Sequence, residues 1–173
     1  MLFFKKIYDW TLAKSEHPKA VWFLSFISFI ESSIFPIPPD IILIPMALVK
    51  KGKAFFYAFV CTISSVLGGL VGYMIGYLFF NSLGSILINF YNLSDSVNDF
   101  KEYYLLYGVW IVIIAGFTPF PFKVITITSG LFNLNIFVFV ICSLISRGAR
   151  FYLLSLLINI YGERIKEFIN KYF

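Results

Sequence analysis

Charge is scarce in this chain. Only 13% of its 173 residues are Asp, Glu, Lys or Arg, while 60% are hydrophobic; an average globular domain carries about 25% charged residues. So few polar side chains cannot cover a water-exposed surface, which excludes a soluble domain and makes the bilayer the solvent. Histidine occurs once, as His17 beside Pro18, so no catalytic set built around an imidazole is expected. The two cysteines, Cys61 and Cys142, lie inside apolar segments far from any metal-ligand partner and read as small buried apolar residues. No glycine loop of the phosphate-cradling kind is present. An enzyme, a metal centre and a resident cofactor are therefore not expected. The fourteen basic and nine acidic residues leave a formal charge of +5, but the basic ones cluster at the ends of apolar segments and form no stripe. That pattern speaks for orientation in a membrane and against nucleic-acid binding.

What the chain has is hydrocarbon: 21% aromatic residues and a mean hydropathy of +0.85. At about 20 residues per crossing there is room for roughly four to six embedded segments in a single membrane domain. The first eighteen residues lack an uninterrupted apolar core and a small-residue cleavage site, so a removable signal peptide is not expected. Phe3, Ile7 and Trp10 recur there at helical spacing, which predicts an interfacial helix over 1–18.

The run from Ala20 to Phe35 reaches only about 24 Å, short of a hydrocarbon core of about 30 Å. It is stopped by PIPPD, where Pro36, Pro38 and Pro39 fix φ and remove backbone donors. A second short run, Ile41 to Val49, leads to the basic cluster KKGK at 50–53. Two half-length pieces around a proline break predict a re-entrant hairpin over 20–50. Residues 54–80 are long enough to cross, with Gly68, Gly69, Gly72 and Gly76 placed for close packing, within the chain or in a homo-oligomer. Residues 81–107, with Asp95, Asp99, Lys101 and Glu102, read as a solvated extracytoplasmic loop, with room for a short surface helix.

The pattern then returns. Gly108 to Thr118 is apolar but short, PFPFK at 119–123 breaks it through Pro119 and Pro121, and Val124 to Leu134 leads back through Gly130. A second hairpin is predicted over 108–134, a second crossing over 136–160 and a second interfacial helix over 161–173. The fold class expected is an all-α integral membrane protein of two repeats, each a re-entrant hairpin followed by a spanning helix. One crossing between the halves makes the repeats inverted, an architecture that puts a transporter's site where hairpin tips meet. Lys5, Lys6, Lys14, Lys19, Lys50, Lys51 and Lys53 fall on one side with Arg164, Lys166 and Lys171. Both termini are therefore expected in the cytoplasm of a multi-pass protein.

Inside the expected membrane segments the ionisable side chains are Glu31, Asp40, Lys123, Arg147 and Arg150. Each is costly there unless paired, hydrated or snorkelling. Glu31 and Asp40 flank the first break; close carboxylates can raise one another's pKa, which suits a proton-coupling pair. The plainer alternative is that Asp40 caps the following half-helix and Glu31 pairs with a cation. Lys123 follows the second break, and Arg147 and Arg150 share a helix face. These three could bind a substrate phosphate, or balance the two acids, or, for Lys123, snorkel. Pro36, Pro38, Pro39, Pro119, Pro121 and Gly130 are read as shaping the hairpins.

Together ESSIFPIPPD (31–40), GFTPFPFKVITITSG (116–130) and SRGARFY (146–152) resemble the DedA family, also called the SNARE-associated or VTT-domain family, and most nearly its YqaA-like branch. The resemblance covers about residues 15–160. It implies opposed re-entrant hairpins, a bacterial cytoplasmic (inner) membrane location and lipid translocation. Bacterial relatives are associated with proton-gradient-dependent recycling of undecaprenyl phosphate, eukaryotic ones with phospholipid scrambling. The family's acidic pair falls on Glu31 and Asp40. Where many relatives carry two arginines around the second hairpin's proline, this chain has Gly116 and, after Phe122, Lys123. The expected partners are membrane lipids, with a polyprenyl phosphate foremost, and protons. A proton-coupled ion or small-solute exchanger, a phospholipid scramblase and a non-transporting membrane-organising protein are the alternative functions.

Overall fold

The computed structural model describes residues 19–34, 38–79 and 94–172, the side chains of 94–97 and 163–172 apart. The expected interfacial helix over 1–18, with His17, lies outside the described residues, as do Pro36, residues 81–93 and the side chains of the expected C-terminal interfacial face. The described residues form six α-helices and no strand: α1 (Ala20–Ser33), α2 (Asp40–Val49), α3 (Ala54–Phe79), α4 (Ser94–Phe117), α5 (Phe122–Leu131) and α6 (Ile136–Tyr172), with a 3₁₀ turn at Lys51–Lys53 before α3.

Stretches within α3, α4 and α6 are long and apolar enough to cross a membrane, whereas α1, α2 and α5 are shorter apolar helices. At 1.5 Å per residue, the 14 residues of α1 and 10 of α2 reach about 21 and 15 Å. This matches the half-length arms expected before and after the first proline break. The second break differs. Its first arm is all of α4, 24 residues or about 36 Å, and the helix begins at Ser94 inside the segment read as a loop. Hydropathy falls at Asp99, Lys101 and Glu102, but helix hydrogen bonding does not require apolar side chains. Acidic residues near a helix N-terminus complement its dipole. Likewise α6 runs unbroken to Tyr172, where the sequence suggests a crossing followed by a separate interfacial helix.

Helix α3 is the hub, packed against α1, α5 and α6. Its glycines make this possible. A Cβ on Gly68 would lie 2.0 Å from the Phe29 carbonyl oxygen of α1, and one on Gly76 1.9 Å from the Ile127 carbonyl oxygen of α5. Gly130, inside α5, returns the contact: its Cβ would lie 1.9 Å from the Tyr73 carbonyl oxygen. The glycine face thus meets this chain's own helices, and Gly130 lies at a helix crossing. The turn after α5 is made instead by Asn133 at φ 57°, with Leu134 N–H bonded to Ser129 O at 2.9 Å and Asn133 N–H to Gly130 O at 3.1 Å. This pairing is a Schellman C-cap. Asn135 then caps α6, its Oδ1 accepting Phe137 N–H at 2.9 Å and Val138 N–H at 3.3 Å.

The core is in two parts. One joins α1, α2, the start of α3 and Phe151 and Ile158 of α6; the other joins Tyr73, α4, α5 and Phe139 and Cys142 of α6. Arg147 lies on α6 between them. Large apolar side chains such as Trp22, Leu106, Trp110 and Phe137 point outward, as a lipid-facing surface requires.

Candidate functional site

Each proline break leaves a helix C-terminus and a helix N-terminus at one place. The last carbonyls of a helix have no intrahelical donor and carry a partial negative charge; the first N–H groups carry the opposite. Here one carbonyl just past each of these C-termini is met by a cation. Lys123 Nζ donates to Ile34 O, just past α1, at 3.1 Å, and Arg150 Nη1 donates to Thr118 O, just past α4, at 2.6 Å. The N-termini of α2 and α5, preceded by Pro39 and Pro121, carry no side-chain cap.

Between these ends lies a cavity of about 300 Å³ lined by Glu31, Asp40, Lys123, Arg147 and Arg150 together with Pro38, Pro39, Pro119, Phe120 and Pro121. All five ionisable residues singled out in the sequence therefore share one cavity, and Pro38, Pro119, Phe120 and Pro121 form its apolar lip. Pro38, Pro119, Phe120 and Pro121 are exposed there.

The two acids are held differently. Arg147 Nη2 donates to Glu31 Oε2 at 2.6 Å, with side chains only 1% and 10% exposed. Arg147 Nε donates to Ser65 Oγ at 2.7 Å, Ser32 Oγ donates to the same Glu31 oxygen at 3.1 Å, and Ser32 and Ser65 share a 2.6 Å hydrogen bond. The guanidinium lies between two rings, 4.9 Å from the Phe122 centroid and 4.8 Å from that of Phe151. Cation–π contact of this kind strengthens when water is excluded.

Asp40 is the first residue of α2 and makes no cap bond; the capping alternative is corrected. Its Oδ2 instead takes Arg150 Nη2, with side chains 20% and 18% exposed. Burial of a charge without a partner is costly, and a nearby guanidinium outweighs the gain from a local N–H. Asp40 Oδ1 is buried and has no hydrogen-bond partner. Lys123 reaches across to the first break through its bond to Ile34 O.

Sequence reasoning missed the residues that carry no formal charge. Thr126 Oγ1 donates to Ser32 O at 3.1 Å and to Lys123 O at 2.9 Å, tying α5 to α1, and Phe122 is fully buried under Arg147. Their one signal is small polar residues beside glycines in a membrane helix, Ser64-Ser65 before Gly68-Gly69. Gly116 has a reason too. A Cβ there would lie 2.2 Å from Ser146 Oγ and 2.8 Å from Ser146 Cβ, so a larger side chain at this position has to displace Ser146. Among the described residues no group of His, Cys, Asp and Glu could hold a metal ion.

A family model described as the VTT domain matches residues 37–160. An uncharacterized protein of Haemophilus influenzae is 39% identical over 174 aligned residues, which take in 99% of this chain and 88% of that protein. A second uncharacterized protein, from Histophilus somni, is 36% identical over 167 residues, 95% of this chain and 85% of its own length. No solved structure matches the chain.

Proposed function

The chain belongs to the VTT domain (DedA) family of membrane proteins, and on that premise we propose that it is a transporter that moves a lipid phosphate across the bacterial cytoplasmic membrane. The observation that carries this reading is the single cavity in which three cations and two acids meet beneath an apolar lip. Three cations against two carboxylates leave the cavity net positive, and two uncapped helix N-termini add to that field. An anionic headgroup is attracted to such a place, while Pro38, Pro119, Phe120 and Pro121 suit the first carbons of its tail. A polyprenyl phosphate such as undecaprenyl phosphate has this chemistry.

In this reading Lys123 and Arg150 bind the phosphate, and Arg147 sets the wall behind them. Glu31 and Asp40 are the proton-coupling pair of this reading, since both carboxylates line the cavity that the headgroup enters. The two breaks are the tips of hairpins that enter from opposite faces, the repeats are inverted, and both termini are cytoplasmic. The headgroup passes along the tips while the tail stays in lipid.

The test is translocation of labelled polyprenyl phosphate and, in parallel, labelled phospholipid by purified protein in liposomes, with and without a pH gradient. Gradient-dependent movement of the polyprenyl phosphate, lost in Lys123→Ala and Glu31→Gln, is the expected result. Movement of neither lipid by folded protein overturns lipid transport. Transport retained in Glu31→Gln removes proton coupling through Glu31.

A further inference from the structure

The two ion pairs of the cavity are built to different standards. The Glu31–Arg147 pair is closed: Nε and Nη2 of the arginine are taken by Ser65 and Glu31, two rings cover its faces, and it is 1% exposed. The Asp40–Arg150 pair is open on one side. One carboxylate oxygen holds Arg150, the other has no partner, and both side chains are about one-fifth exposed. Arg150 does not depend on Asp40 for its position, since Nη1 is fixed separately on Thr118 O. Removing Asp40 therefore leaves a guanidinium already aimed into the cavity with one edge free.

We propose that Asp40 is a resident counter-ion that occupies the anion position of the cavity and is exchanged for the ligand's phosphate oxygen, while Glu31–Arg147 stays shut. This rests on reading the cavity as an anion site. The charged groups facing Asp40 are Arg147 and Arg150 of α6, Lys123 of α5 and Glu31 of α1. Lys123 spends one donor on a neutral carbonyl and, because an ammonium has three, keeps others for an anion. Once displaced, the Asp40 carboxylate has Lys123, which lines the same cavity, as its next partner. The exchange swaps hydrogen bonds and breaks no covalent bond. The ligand class is an anion with at least two phosphate oxygens, one for Arg150 and one for the Lys123 side.

The experiment is calorimetric titration of the full chain in maltoside micelles with dodecyl phosphate and, separately, inorganic phosphate. Wild type, Asp40→Asn, Glu31→Gln and Arg150→Gln are compared, each checked for folding by thermal unfolding. Removing an internal competitor for a charge-assisted hydrogen bond is expected to tighten binding to Asp40→Asn on the order of tenfold. Glu31→Gln is expected to gain nothing, and Arg150→Gln to bind weakly. A gain for dodecyl phosphate alone makes the ligand an amphiphile, and an equal gain for inorganic phosphate makes it a free anion; both support the exchange. Unchanged or weaker binding to Asp40→Asn overturns it, as does an equal gain in Glu31→Gln, which marks a diffuse charge effect. If Glu31→Gln does not fold, the Asp40→Asn gain is remeasured at about 0.5 M salt, where a diffuse effect is screened and a freed contact persists. No binding of either probe by any folded variant sinks the anion site itself, whereas binding without the Asp40→Asn gain sinks only the exchange.

Discussion

A guanidinium with almost no exposure, wedged between Phe122 and Phe151 and bonded to Glu31 and Ser65, contributes by not being missed. Replacing a buried ion pair by apolar groups is often neutral, but removing one partner leaves the other charged and alone, at about 3–5 kcal/mol. Arg147→Met should therefore lower thermal stability in detergent by roughly that amount. The double variant Glu31→Leu/Arg147→Met should recover much of it, because no unpaired charge remains. Recovery in stability together with loss of transport separates the two roles; full transport by the folded double variant favours a pair that serves packing alone. The residue scale is also where the sequence was most legible. Glu31, Asp40, Lys123, Arg147 and Arg150 stand out because a charge within an apolar run is costly and so carries information. Which acid takes which arginine was not legible, since Arg147 and Arg150 share one face of α6 and the choice is made by where α1 ends and α2 begins. Ser65, Thr126 and Phe122 were hidden because hydroxyls and rings recur along the whole chain.

At the scale of elements, the crossing of α3 and α5 is set by two glycines that each face the other helix's backbone. Alanine normally improves a helix interior over glycine by about 0.5–1 kcal/mol. At Gly76 and Gly130 a Cβ would come within 1.9 Å of a carbonyl oxygen, which forces the helices apart, and overpacking of that sort costs about 1–3 kcal/mol or more. The steric term wins, so Gly76→Ala and Gly130→Ala should each melt lower than wild type. Gly52→Ala, with nothing within 4 Å of the added carbon, should melt at the wild-type temperature. Equal melting of all three would show that the helices have slack at this crossing. Half-length arms at the first break followed directly from counting residues between prolines and lysines. The start of α4 did not, because hydropathy reports where lipid begins and helix hydrogen bonds continue past that point.

For the whole molecule, the reading of inverted halves makes a statement about sides. In a background with Cys61→Ala and Cys142→Ala, cysteine at Lys53 should react with an impermeant maleimide only from the cytoplasm, and cysteine at exposed Asn135 only from the outside. Reaction of both from one side would remove the inversion, and with it the idea that two hairpin tips meet from opposite faces. The order of helices and the pairing of each short second arm with the other half's long helix, α5 on α3 and α2 on α6, are what that inversion would produce.

The distance along the chain between ion-pair partners sets a timetable for biosynthesis. Glu31 is separated from Arg147 by 116 positions and Asp40 from Arg150 by 110. At about 5–20 residues per second, the ribosome takes roughly 6–23 s to deliver the arginine after the acid. During that interval α1 and α2 carry carboxylates whose arginines have not yet been made, so these two helices can reach their final packing only once α6 has been synthesised.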